Sequence, residues 1–173
     1  MTLCFAADRT LGKLAKWLRI LGFDTTFEID ACAELFYAHL AIDRIVLTRT
    51  AAIKKQFSGH RLVFITSNYL DVQLKQVIAE IGLRPADTRP FSRCIHCNIP
   101  IVDADPDAVC GLIPDYIYEI HNEFHKCMQC NRIFWPGSHT KRSLERIEYL
   151  FEECGREQFA LKLNKRSVTK TLR

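Results

Sequence analysis

Long apolar runs are missing from this 173-residue chain, and no stretch approaches the ~20 residues that a membrane-crossing helix needs. A spanning protein is therefore not expected. The first residues, Met1 to Asp8, lack a basic region and carry too short an apolar stretch for a secretory signal. Internal repeats and low-complexity tracts are absent as well. Net charge is small, only +4, so charge alone says little about an acidic partner. What is present is a globular composition, 48% apolar and 25% charged, together with eight cysteines. Without a signal peptide the chain is expected in a reducing, cytoplasmic compartment. Disulfides are disfavoured there, and paired cysteines read as metal ligands.

Charge is unevenly spread. Residues 1–90 carry 12 Lys/Arg against 9 Asp/Glu, residues 91–137 carry 3 against 6, and residues 138–173 carry 9 against 5. This suggests three pieces: an α/β domain (1–90), a metal module (91–137), and a terminal helix with a basic tail (138–173). Residues 84–90 read as a linker.

Within the first piece, strand-like runs alternate with helical stripes. Residues 2–7, 23–27, 44–48 and 61–66 read as strands. Leu11, Leu14, Ala15, Leu18 and Leu21 recur at helical spacing, with Thr10 as the expected N-cap and Gly22 as the stop. Further helices are expected over residues 31–40, 51–57 and 70–81, the last stopped by Gly82. This alternation predicts a parallel sheet with helices on both faces. In such sheets the ligand site lies at the carboxyl ends of the strands. Asp8, Thr48 to Thr50, and Thr66 to Asn68 occupy those positions. In the last piece Leu144, Ile147, Phe151 and Cys154 share a helical face, and Gly155 is the expected end of that helix.

Cys94-Ile-His-Cys97 and Cys127-Met-Gln-Cys130 are two C-x-x-C pairs. Each can sit on a tight turn that aims both thiolates at one tetrahedral Zn²⁺. Four cysteines close the coordination sphere, so the zinc is expected to be structural. The 29 residues between the pairs exceed ordinary ribbon spacing, so the loop must carry something extra. His96, His121 and His125 are alternative ligands. Cys4, Cys32, Cys110 and Cys154 read as small core residues.

Carboxylates gathered at the strand ends could hold Mg²⁺ or Mn²⁺ and support phosphodiester cleavage. The candidates are Asp8, Asp24 and Asp30, with Asp71 a weaker fourth. Asp30 could equally be a helix N-cap, and Asp24 a turn residue. Arg9, Lys13 and Lys16 fall on one helical face beside Asp8 and could grip phosphates, or simply be solvated. Trp17 reads as partly buried packing. Arg93 and His139 flank the metal module, where each could contact RNA or tie the module to the sheet.

Several ordered segments carry a resemblance. Phe5-Ala-Ala-Asp8, Leu11-Gly-Lys-Leu-Ala-Lys-Trp-Leu-Arg19, Leu21-Gly-Phe-Asp-Thr25, Leu47-Thr-Arg49, Phe91 to Asn98 and Trp135 to His139 resemble the Mut-seven C-terminal RNase family over roughly residues 1–145. The resemblance implies a three-layer, PIN-like nuclease fold joined to a zinc ribbon. It implies a metal-dependent ribonuclease with an acidic pocket, and the first reading is cleavage of single-stranded RNA with Asp8, Asp24 and Asp30 as the candidate carboxylates. One departure stands out: the family reads Thr-Arg-Asp after the third strand, and this chain reads Thr48-Arg49-Thr50. A hydroxyl does not replace the charge of a lost carboxylate, so an impaired site is one expectation. The alternative is a non-catalytic protein on a degraded nuclease fold that holds structured RNA, such as a tRNA or the ribosome. A third reading is an adaptor, with Asp103, Asp105 and Asp107 facing a basic partner.

Overall fold

The computed structural model describes residues 3–28, 44–57, 59 and 61–170. Alternation along the strands decides the first sheet. β1 (Cys4–Ala7) points Phe5 and Ala7 to one face and Ala6 to the other. β3 (Ile45–Thr48) does the same with Ile45 and Leu47 against Val46. With β2 (Asp24–Phe27) and β4 (Leu62–Phe64) they form a parallel sheet in the order β2-β1-β3-β4. The order reverses between β1 and β3, which makes their carboxyl ends the switch point of the sheet.

One face packs against α1 (Gly12–Ile20), through Leu14, Ala15 and Leu18, and α3 (Leu70–Ile81), through Leu74, Val77 and Ile78. Burying each such leucine contributes on the order of 2–3 kcal/mol. The other face is covered, among the described residues, by Ile53 and Phe57 at α2 (Ala51–Gln56). This is a mixed α/β unit with a four-stranded parallel sheet. The helix expected over residues 31–40 lies outside the described residues.

A second, antiparallel sheet holds β5 (Val102–Ala104), β6 (Phe124–Lys126) and β7 (Ile133–Phe134) in that order. The long segment between the cysteine pairs folds into β5, α4 (Pro106–Val109), α5 (Asp115–Ile120) and β6. It has a core of its own in Val109, Ile113, Ile117 and Phe124.

The chain then enters α6 (Ser138–Lys170). Ile147, Leu150 and Cys154 of α6 join the main core, and Leu150 replaces the expected Leu144, which is partly exposed. Gly155 does not end the helix. Arg156 reaches back to Glu152 and Glu153 at 3.2 and 3.1 Å across it. Such pairs help offset a glycine cost of roughly 1 kcal/mol. Arg146 binds Asp71 on α3 at 2.5 Å and lies 4.8 Å over the Trp17 ring. Asp71 is thereby a helix-packing residue, and Trp17 packs as expected.

Gly22 closes α1 with φ +92°, and Phe23 N–H donates to Leu18 O at 2.9 Å. A β-carbon there would stand 2.3 Å from the Arg89 carbonyl. Gly22→Ala should therefore destabilise the protein by at least about 2 kcal/mol, measured by urea unfolding. An unchanged midpoint would show that the Arg89 segment yields freely.

Candidate active site and metal centre

Asp8 follows β1 directly and is 1% exposed. Its Oδ1 accepts from Thr10 N–H at 2.9 Å and Thr10 Oγ1 at 2.5 Å. Its Oδ2 accepts from Thr48 Oγ1 at 2.5 Å, Arg49 N–H at 3.0 Å and Thr50 Oγ1 at 3.2 Å. Thr10 was the expected N-cap, but Asp8 takes that role for the 3₁₀ turn Arg9–Leu11 that leads into α1. Burial alone would raise the Asp8 pKa. Hydrogen bonds from the Thr10 and Thr48 hydroxyls and from the Arg49 and Thr10 amides outweigh it and hold the carboxyl below its usual range.

The neighbour of Asp8 at this edge is Glu28, which the sequence reading missed. Ala7 pairs with Phe27, so the next residue of each strand stands at the same edge. Phe27 was recognisable as a strand end, and that register was the available signal. Glu28 is 8% exposed. It accepts from Arg9 N–H at 2.9 Å, and its Oε1 takes Arg9 Nε at 3.1 Å and Nη2 at 2.9 Å. Arg9, expected on phosphate, is thus occupied by Glu28, although its side chain is 69% exposed. Lys13 and Lys16 are exposed on α1 and form no ion pair among the described residues. Arg49 brings a different feature: its Nε is buried and has no hydrogen-bond partner among the described residues.

Asp24 is not brought to Asp8. It pairs with Cys4 at the amino end of β1, so it sits at the opposite edge of the sheet. Its Oδ1 accepts from Arg44 Nη1 and Asn98 Nδ2, both at 2.8 Å. Burial would raise its pKa, but Arg44, Asn98 and the charge of Arg93 hold it low. Asp24 therefore works as a docking residue here. Asp30 lies outside the described residues.

Beside Asp24 the cysteine module joins the sheet. Buried Arg19 donates through Nε to Thr25 O at 2.9 Å and through Nη1 to Ile95 O and His96 O at 3.0 and 2.9 Å. Thr25 N–H donates to Asn98 Oδ1 at 2.9 Å, and Arg93 Nε donates to Gly22 O at 3.3 Å. Of the two roles open to Arg93, these bonds supply the tie to the sheet. His139 lies exposed in the first turn of α6.

Cys94, Cys97, Cys127 and Cys130 bring their sulfurs within 4.8 Å of one another. The two turns match. Asn98 N–H donates to Cys94 O at 2.9 Å and Asn131 N–H to Cys127 O at 2.8 Å, and both asparagines have positive φ, +64° and +57°. The Arg132 backbone N–H draws Cys130 down to about 7 against its own burial. Burial and the Cys130 sulfur push Cys97 up to about 12. Four sulfurs so close are a donor set for a thiophilic cation, and the cluster could hold a metal such as zinc. Of the alternative ligands, His125 instead faces Asp103 at 3.2 Å.

Among the described residues, the carboxylate edge offers a divalent ion no carboxylate oxygen free of protein hydrogen bonds. Both Asp8 oxygens and both Glu28 oxygens already accept hydrogen bonds from the protein. The unsatisfied buried atom at this edge is a donor, Arg49 Nε.

A parallel sheet with its acidic residue at the switch point, and a four-cysteine module on the opposite edge, defines a two-part α/β protein. Comparison with known families makes this specific: the chain belongs to the Mut7-C RNAse domain family, whose model matches residues 4–147. Membership brings a nuclease-like function, with RNA as the implied substrate class. No curated protein and no solved structure matches the chain.

Asp8 gives the fold a pH dependence. Its folded pKa is lowered, so its contribution is full above the unfolded value, near pH 4, and is lost as pH falls through the folded value. Asp8→Asn should cost about 2–4 kcal/mol at pH 7 and flatten the stability profile below pH 4. Unfolding curves of both proteins between pH 2 and 7 check this. Parallel profiles would mean that the five donors do not favour the ionised form.

Proposed function

We propose that this protein engages single-stranded RNA at the carboxyl edge of a PIN-like sheet, as a low-turnover ribonuclease whose hydrolysis is limited at position 50. The observation that carries this reading is the saturation of Asp8. Where the family resemblance places a carboxylate, Thr50 donates to Asp8 Oδ2 at 3.2 Å and occupies one of its lone pairs. Arg49 beside it carries a buried N–H that is unpaired among the described residues and could turn to a phosphate. Lys13 and Lys16 add positive charge on the helix that starts at this edge. The residues hold Asp8 ionised and screened, which orients the loop more than it attacks a substrate. A fully active, metal-dependent enzyme is the second reading. It is favoured by the adjacency of two carboxylates, Asp8 and Glu28, and requires Arg9 to release Glu28.

We assign the four-cysteine cluster to one structural zinc ion, in an RNA-directed protein of the cytoplasm. Purified reduced protein should contain about one zinc per chain, read by elemental analysis. Cys127→Ser should lose that zinc and melt the β5-β6-β7 sheet. A metal-free wild type with this sheet intact would remove the assignment.

Thr50→Asp tests the limiting step. It sets two carboxylates side by side, which raises the pKa of the pair. The penalty is present at pH 7 and disappears as pH falls and a proton is taken up. The variant should lose about 1–3 kcal/mol in EDTA and recover it in millimolar Mg²⁺ or Mn²⁺. With Mn²⁺ it should cut single-stranded RNA faster than wild type, and Asp8→Asn in the same chain should abolish the gain. A folded Thr50→Asp protein that binds RNA and stays inert would reject the limit at position 50.

A further inference from the structure

The three-stranded sheet sorts its charges by face. Val102 pairs with Lys126 and Lys126 with Ile133, so these three share one face; Asp103, His125 and Phe134 share the other. Asp103 binds His125 on that second face, and Glu123 lines a cavity there with His125 and Phe134. The first face is different. Leu112, Pro114, Ile133 and Trp135 wall a groove of about 400 Å³ whose lining also includes Lys126 and Arg132. Neither cation meets a carboxylate among the described residues. Leu112 is 63% exposed, an apolar side chain left in water beside a half-buried indole.

We infer that this groove binds one nucleotide of single-stranded RNA, with its base against Trp135 and Leu112 and its phosphate between Lys126 and Arg132. The inference rests on the RNA-directed reading above and adds a second point of contact to it. A groove that was apolar throughout would suit a peptide or a lipid chain. Two cations without protein partners select an anion, and the indole selects a planar ring beside it. Stacking of a base on an aromatic side chain contributes about 1–3 kcal/mol and tolerates any base. Asp103 lies on the other face of the sheet and Glu123 lines the cavity there, whereas Asp115 follows Pro114 of the groove wall. The module is docked at the amino edge of the parallel sheet, and Asp8 lies at the carboxyl edge. The four residues of β1 alone span roughly 13 Å. One RNA strand reaching both points must therefore be several nucleotides long, so affinity should rise steeply once an oligomer is long enough to bridge them.

The test uses the full-length, zinc-loaded chain and fluorescein-labelled single-stranded RNA of 4 to 16 nucleotides, followed by anisotropy. Trp17→Phe leaves Trp135 as the sole tryptophan, and its emission should be quenched by RNA. Lys126→Ala/Arg132→Ala should weaken binding about tenfold and flatten the log-log salt slope by about 1.4, the value for two lost single-strand phosphate contacts. Zinc content and thermal midpoint should be unchanged, because both side chains lie outside the core. Equal affinity and slope in the double variant, with RNA still bound, would overturn the groove and leave the RNA-directed reading standing. No RNA binding by wild type would overturn both. Quenching of Trp135 by inorganic phosphate as strong as that by RNA would reduce the groove to an anion site and overturn its assignment to a nucleotide.

Discussion

The buried carboxylate of Asp8 is the interaction on which the switch point depends. Leaving an ionised group in the protein interior is costly unless it is fully hydrogen-bonded. Here five donors meet it, from Thr10, Thr48, Arg49 and Thr50. They belong to the 3₁₀ turn after β1, to the last residue of β3 and to the segment after it, so one side chain adds to the Asp8 N–H to Leu47 O bond in holding the two strand ends together. The bonds also bear on what the carboxylate can do. An oxygen that accepts two or three hydrogen bonds is a good structural anchor and a poor vacant ligand. Position 50 is where these roles compete: a hydroxyl there favours the anchor.

Asp24 shows that the same side chain at the other edge has another task. Parallel pairing puts it beside Cys4, a strand length from Asp8. There it meets Arg44, Asn98 and Arg93, where Asp8 at the carboxyl edge meets hydroxyls and backbone amides. Asn98 uses both ends of its amide, donating to Asp24 and accepting from Thr25 N–H. It pairs a backbone donor of β2, an outer strand whose N–H groups would otherwise face water. Covering that edge protects the sheet as well as seating the module.

Much of this was legible in the sequence. The short apolar runs alternating with helical stripes located the parallel sheet, and the C-x-x-C spacing located the four-cysteine cluster. Asp8 could be placed at a strand end from its position after an apolar run. Less was legible where the outcome depends on register. Asp24 and Glu28 both border β2, and only pairing with β1 tells which end each occupies. The capping role of Asp8 was hidden because the helical stripe of α1 begins at Leu11 and masks the short turn before it. Gly155 misled for another reason: local propensity favoured a stop, whereas charge pairs across the glycine support continuation. Arg93 offered two readings, and the decisive partner, Gly22 O, is 71 residues away in the chain.

The two cysteine turns explain how one module can face two ways. Each has the form C-x-x-C-N, with the asparagine in the left-handed region and the same backbone bonds: Cys94 N–H to Ile99 O in one, Cys127 N–H to Arg132 O in the other. Shared geometry around a common cluster makes their flanking residues equivalent in position, so differences in role must come from side chains. In the first turn Asn98 is half-buried and spent on Asp24 and Thr25. In the second, Asn131 and Arg132 are exposed. Ile99, the residue equivalent to Arg132, is apolar and half-buried. The first turn is thus committed to the parallel sheet, and the second is free to carry charge into solvent. A symmetric frame with one docked and one open turn leaves Lys126 and Arg132, on either side of the second pair, free of the bonds that seat the first turn on the sheet.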